Sequence, residues 1–293
     1  MNRRQWKPVR KLADLVVPLW SGRRAVLLSV PYLVLFLWLF GGVAGSDFRL
    51  SDLAAGPEAS PAWTPPSREH WFGTTATGAD LFEMSRAAMA NSIASAVVAV
   101  AVGMMLAAAA FLFFAFEAEE TRFSWPERVV RSLRPFPAMA ALAVFAGGAG
   151  GGQRLAIAGL AAAVALHLFP VLCGWMREAE KGFDFVAARL LGLPRRQVVL
   201  SRSLPAVLSR LPGAFAALLP PVVLAEMGLS FLGFGGERLS VGSIVARGQV
   251  YLIEAPWIAV HPGLLATGVV MALALLGWRV SAALGTGPLP RIF

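Results

Sequence analysis

Six segments of this chain are long, apolar and poor in charge: 25–44, 90–115, 136–151, 155–176, 206–225 and 256–278. Most approach the ~20 residues that cross a bilayer as a helix. Inside lipid each backbone amide and carbonyl needs a partner within the protein, which for such runs means helix. Composition agrees, with 57% hydrophobic and 15% charged residues, where a soluble domain carries roughly a quarter charged. The expected fold class is all-α: a polytopic membrane protein of six transmembrane helices.

Where the charges lie decides what the net charge of +9 means. With the N-terminus cytoplasmic, only Arg49, Arg68, Arg86, Arg154, Arg238 and Arg247 of the 26 basic residues fall outside. That distribution is the positive-inside rule, so the basicity sets topology and does not mark a nucleic-acid partner. Both termini are expected in the cytoplasm. Residues 1–24 form a basic N-tail in which Trp6, Val9, Leu12, Ala13, Val16, Val17 and Trp20 recur at helical spacing, as in a segment lying on lipid. Residues 25–44 resemble a signal peptide but exceed the usual apolar core of about 7–15 residues, and read as an uncleaved anchor. The single Cys173 excludes an intrachain disulfide and a cysteine metal cluster.

The loop 45–89 is expected outside. It is rich in proline before His70, and Asp80 is placed to cap the second span. The third span is interrupted by Pro137 and a run of glycines. It is kept because its removal would place the most basic internal segment outside, against the charge rule. His167 and His261 stand in the fourth and sixth spans with no acid nearby in the same segment. They read as neutral packing groups, with a proton relay as the alternative. The fifth span contains Pro212, Gly213, Pro220 and Pro221. Prolines free carbonyls that only a water-lined or protein-buried setting satisfies, so Pro220 and Pro221 are candidates for a translocation path. Glu226 at the outer end of that span is a candidate contact for a substrate amine, packing of the loop being the alternative.

Between the fourth and fifth spans lies a polar island, 177–205, which carries Arg177, Lys181, Arg189, Arg195, Arg196 and Arg202 against Glu178, Glu180 and Asp184. Phe183, Val186, Ala187, Leu190 and Leu191 follow helical spacing and predict one apolar stripe. Gly192 suits a left-handed helix end, and Pro194 the first turn of a second helix. A short helix-turn-helix with an apolar face and a basic rim is a docking knob for a soluble partner; a solvated connector is the bland alternative.

The island also resembles the cytoplasmic coupling motif of ABC importer permeases. Ala187-Ala188, Gly192 and Leu204-Pro205 reproduce its spacing, with Val186 where a glutamate is usual. Upstream, Phe72, Gly73, Thr74, Gly78 and Asp80 are similar to the region before the second span in C-type permeases of the dipeptide, oligopeptide and nickel family, while Thr75 and Ala79 replace an aspartate and an arginine. Residues 224–235, LAEMGLSFLGFG, closely resemble the segment after their fifth span, and 242–264 their external loop, with Val241 where tryptophan is common. The likeness runs from His70 to about Gly277.

The resemblance implies a bacterial inner-membrane component of binding-protein-dependent transport, made of a permease core at 90–284 and a C-tail at 285–293. Its implied partners are a second permease subunit, two cytoplasmic ATPases, an extracytoplasmic peptide-binding protein and lipid. No cofactor or metal is implied. Coupling to the ATPases falls to Asp184, Ala187, Ala188, Arg189, Gly192, Leu204 and Pro205. The chain has no Walker lysine of its own, since Lys7, Lys11 and Lys181 are followed by Pro8, Leu12 and Gly182. A self-sufficient secondary transporter or channel is the competing reading, but it calls for intramembrane acids, and only Glu226 approaches that role. An intramembrane enzyme would need clustered catalytic groups, whereas His70, His167 and His261 are scattered.

Overall fold

The structure, a computed structural model, describes residues 63–117, 152–236 and 238–283. The N-tail, the 25–44 anchor, the proline-rich part of the 45–89 loop, the third span at 136–151 and the C-tail lie outside the described residues. Within them every regular element is helical: α1 (Leu81–Glu117), α2 (Gln153–Glu180), α3 (Phe183–Leu190), α4 (Arg195–Val198), α5 (Leu204–Leu208), α6 (Leu211–Phe231), α7 (Val241–Gly248) and α8 (Trp257–Ala283). A turn of π-helix, Val199–Ser203, joins α4 to α5, and a 3₁₀ turn, Gln249–Tyr251, follows α7. Four helical stretches are long and apolar enough to cross a membrane: Leu81–Phe113, Gln153–Glu180, Arg195–Phe231 and Trp257–Ala282.

α1 begins before its apolar run because Asp80 caps it. Its Oδ1 accepts from the amides of Phe82 and Glu83 at 2.8 and 3.1 Å, satisfying two of the donors that a helix start leaves open. Its other oxygen pairs with His70 Nδ1 at 2.7 Å. Further along, Ala96, Val100, Gly103 and Ala107 are buried, a stripe of small residues at helical spacing. A side chain at Gly103 would overlap the Ala161 carbonyl of α2, so the two backbones approach closely, as small residues allow in membrane helices. The opposite face exposes Val98, Met105, Leu106 and Phe113. A helix apolar on both faces suits a protein neighbour on one side and lipid on the other.

α6 is the central helix, packing against α1, α2, α7 and α8. Pro220 removes the amide that would bond to Ala216, and that carbonyl lies against α8, where a side chain at Gly277 would overlap it. Ser281 of α8 donates to the Gly213 carbonyl at 3.0 Å. Of the two settings that tolerate a proline-rich membrane helix, α6 has the protein-buried one at Ala216. The helix ends at Gly233, φ +91°, where the amides of Gly233 and Phe234 bond back to Ser230 and Leu229. This left-handed ending closes the last turn and sends the chain toward α7.

At the α7 end the connections form a closed cap. Ser240 and Ser243 make reciprocal side-chain and backbone bonds that start α7. Val241 and Ile244 are 1% exposed. Trp63 meets Tyr251 edge-on at 4.6 Å and Phe72 stacks on His261 at 5.2 Å. The stretch after residue 63 and the α7–α8 turn, far apart in sequence, therefore build one layer. His261, a packing histidine by its sequence context, packs as an aromatic plate.

Candidate functional site

The polar island is an insert at the opposite end of the bundle, between α2 and α6. α3 follows α2 after Lys181 and Gly182, and ends as the sequence predicts. Gly192 has φ +84°; its amide bonds to Arg189 O and that of Leu193 to Ala188 O, the paired bonds of a left-handed helix end. Pro194 sits one position earlier than the first helical turn, at the N-cap of α4. There it lacks no needed donor, and its carbonyl accepts from Gln197 and Val198.

α3 turns most of its large apolar side chains outward. Its apolar stripe points away from the bundle: Phe183 is 85% exposed, Leu190 83% and Leu191 82%, with Val186 also exposed. Phe185 and Ala188 point inward, Ala188 being 5% exposed. Ala187 is half-buried at the edge, Leu204 half-buried and Pro205 exposed at the start of α5. The alanine pair is thus divided: Ala188 gives close approach to the chain itself, and only Ala187 borders the open face. Burying a large apolar side chain is worth about 1.5–3 kcal/mol, so the exposed stripe leaves several kcal/mol for a partner to gain.

Charges frame that face. Arg195 pairs with Glu180 at 2.7 Å and Arg210 with Glu178 at 2.7 Å, while Asp184 and Arg202 are 3.9 Å apart and largely exposed. Arg189 donates to the Leu193 carbonyl at 2.8 Å, fastening the helix end. Arg210 also lies over the Trp175 ring at 5.7 Å. Sequence reasoning put Arg189 and Arg195 in a basic island offered to a soluble partner, and both hold contacts inside this chain. It missed Glu178 and Glu180 as functional groups; the signal available was two acids at the end of a helix followed by an arginine-rich insert.

The path candidates lie elsewhere. Pro220 is buried and Pro221 half-buried on α6. Glu226 is 8% exposed; Ser230 donates to its Oε1 at 2.9 Å, and Oε2 has no hydrogen-bond partner. Ser92 of α1 lies beside the carboxyl without a good hydrogen bond to it. Glu226 is therefore enclosed beside α1 in this chain. A separate groove of about 690 Å³ between α6, α7 and α8 is lined by apolar groups such as Met227, Phe231, Val245 and Met271, with Thr267. Its chemistry suits a hydrocarbon chain or another helix, not the charged ends of a peptide. Among the described residues, no group of three or more His, Cys, Asp or Glu is placed to hold a metal ion.

These features define a multi-pass helical membrane protein with a helical insert that presents an apolar face. Comparison with known proteins makes the class specific. Over 234 residues the chain is 30% identical to a peptide transport system permease protein of Brucella suis, covering 73% of this chain and 72% of that one. It is 26% identical over 223 residues to the oligopeptide transport system permease protein OppC of Mycobacterium tuberculosis, with 73% and 74% covered. It is 28% identical over 223 residues to the glutathione transport system permease protein GsiD of Escherichia coli, with 72% and 70% covered. No protein-family model matches the chain. The chain belongs to the family of permease proteins of ABC peptide transport systems.

Proposed function

We propose that the chain is the C-type permease subunit of an ATP-driven importer for peptides, a bacterial inner-membrane protein of six spans with both termini cytoplasmic. It forms the path with a second permease, receives substrate from an extracytoplasmic binding protein, and is driven by two separate ATPase subunits. The observation that carries this reading is α3, a short helix rigidly ended at Gly192 whose large apolar side chains face outward at the basic end of the bundle. An ATPase that changes shape needs such a contact to move membrane helices. Asp184, Ala187, Arg189, Leu204 and Pro205 border the contact, and Ala188 and Gly192 hold its shape. In the path, α6 contributes Pro220, Pro221 and Glu226, the last enclosed against α1 in this chain and meeting a substrate amine through Oε2 only when the spans part.

Purification of the tagged chain from its native membrane tests this directly. Retention of an ATPase pair and a second permease, with ATP-dependent peptide uptake after reconstitution, is the expected result. Uptake by the purified chain alone, with no ATPase present, means a self-sufficient transporter instead. For the path, Glu226→Gln is expected to alter substrate preference; unchanged uptake and preference remove Glu226 from it.

A further inference from the structure

We infer that Glu180–Arg195 and Glu178–Arg210 are positioning pairs that make the insert move as one piece with α2 and α6. This rests on the coupling role proposed for α3. A docking helix transmits motion only as well as it is fixed to the spans behind it, and α3 is fixed by little apolar burial of its own. From Lys181 to Arg210 the buried side chains are Ala188, Val198, Val199, Ser203 and Val207, none of them large. Both pairs use the same last turn of α2. Glu180 reaches Arg195 at the start of α4, across 15 residues, and Glu178 reaches Arg210 at the start of α6, across 32. One helix end therefore holds the insert at its middle and at its exit.

The geometry separates these two pairs from an incidental surface contact. Both are single charge-assisted bonds of 2.7 Å, at the short end of the range for such bonds. In the first, both side chains are mostly covered, at 27% and 20% exposure. In the second, Arg210 is 28% exposed and Glu178 67%, and what distinguishes the pair is its length and the Arg210 guanidinium held over Trp175, one turn before Glu178. Asp184–Arg202 is the internal contrast, at 3.9 Å with 80% and 56% exposure. Between the two anchor points lies the π-helical turn Val199–Ser203, an irregular element that would otherwise give way when α3 is pushed. Cutting either pair should let α3 move without the spans, so that ATP is hydrolysed without matching transport.

The test uses the full chain assembled with its permease and ATPase partners in lipid vesicles, with a mixed tripeptide pool and the cognate binding protein as the probe, reading uptake and ATP hydrolysis together. Glu180→Gln and Glu178→Gln are expected to lower uptake per ATP by about three- to tenfold, while the ATPases stay bound. The exchange Glu180→Arg with Arg195→Glu is expected to restore the ratio to within about twofold, the sign of an interaction that depends on the pair and not on either residue alone. Glu83→Gln, which cuts the exposed i,i+3 pair with Arg86 at the other end of the bundle, should leave the ratio unchanged. An unchanged ratio in both single variants, or a pair exchange that assembles but stays uncoupled, overturns the inference. Leu190→Asp separates this outcome from failure of the coupling reading. If Leu190→Asp uncouples and Glu180→Gln does not, the pairs alone are wrong; if Leu190→Asp leaves stimulation intact, α3 is not the coupling element and the inference falls with it.

Discussion

α3 and α7 are both eight-residue amphipathic helices that connect long spans at opposite ends of the bundle. α7 turns its apolar side inward: Val241 and Ile244 are buried, and Gly242 lies so close to α6 that a Cβ there would overlap the Met227 carbonyl. α3 turns Phe183, Leu190 and Leu191 outward and covers only Ala188 well. Amphipathicity alone thus predicts that a helix has a covered face, not what covers it. For α7 the cover is the chain's own α6 and α8; for α3 no described element covers the outward stripe. The one helix closes a fold, and the other leaves it open for assembly.

Substitutions on the two helices should therefore fail differently. The largest expected effect on stability is Gly242→Val, which forces α7 off α6; overpacking costs about 1–3 kcal/mol and sometimes more, and the thermal midpoint in detergent should fall by roughly 5–10 °C. An unchanged midpoint would mean that α7 is not held as described. Ala188→Trp comes next, because Ala188 faces this chain and not a partner. It should destabilise the insert by about 1–3 kcal/mol, seen as faster proteolysis within 181–210. Gly192→Val should cost about 1–2 kcal/mol, because a β-branched residue is strained at φ +84°, and should loosen the same segment. Leu190→Asp should change the midpoint least, within about 0.5 kcal/mol, since its side chain is already 83% exposed. A large loss there would show that α3 buries its stripe within the chain and would erase the contrast with α7.

Local features were legible in the sequence wherever the cause is local. Asp80 caps α1, Gly192 takes the left-handed turn, and the stripe on α3 lies on one face as its spacing requires. Pro220 announced a freed carbonyl at Ala216, but that protein lies against it was decided by Gly277 of α8, more than 60 residues away. The family resemblance placed Ala187 and Ala188 together, while helical periodicity put only Ala187 on the outward stripe, in keeping with Ala188 turning inward. Glu178 and Arg210 carry no mutual signal at a separation of 32 residues; only the fold brings them together. Glu226 was legible as an unusual acid in an apolar run, yet its neighbours Ser230 and Ser92 show it enclosed between α6 and α1.

In the proposed importer the outward face of α3 lies in the cytoplasm and is covered by the ATPases. The most direct test of this is accessibility of single cysteines at Leu190 and at Ile253, which is 99% exposed at the other end, in a Cys173→Ala background with an impermeant thiol reagent. In intact cells Ile253→Cys should react and Leu190→Cys should not. In inverted vesicles stripped of ATPase, Leu190→Cys should react, and adding the ATPase pair back should protect it. Labelling of Leu190→Cys from outside, or labelling in inverted vesicles that the ATPases do not suppress, would contradict the account.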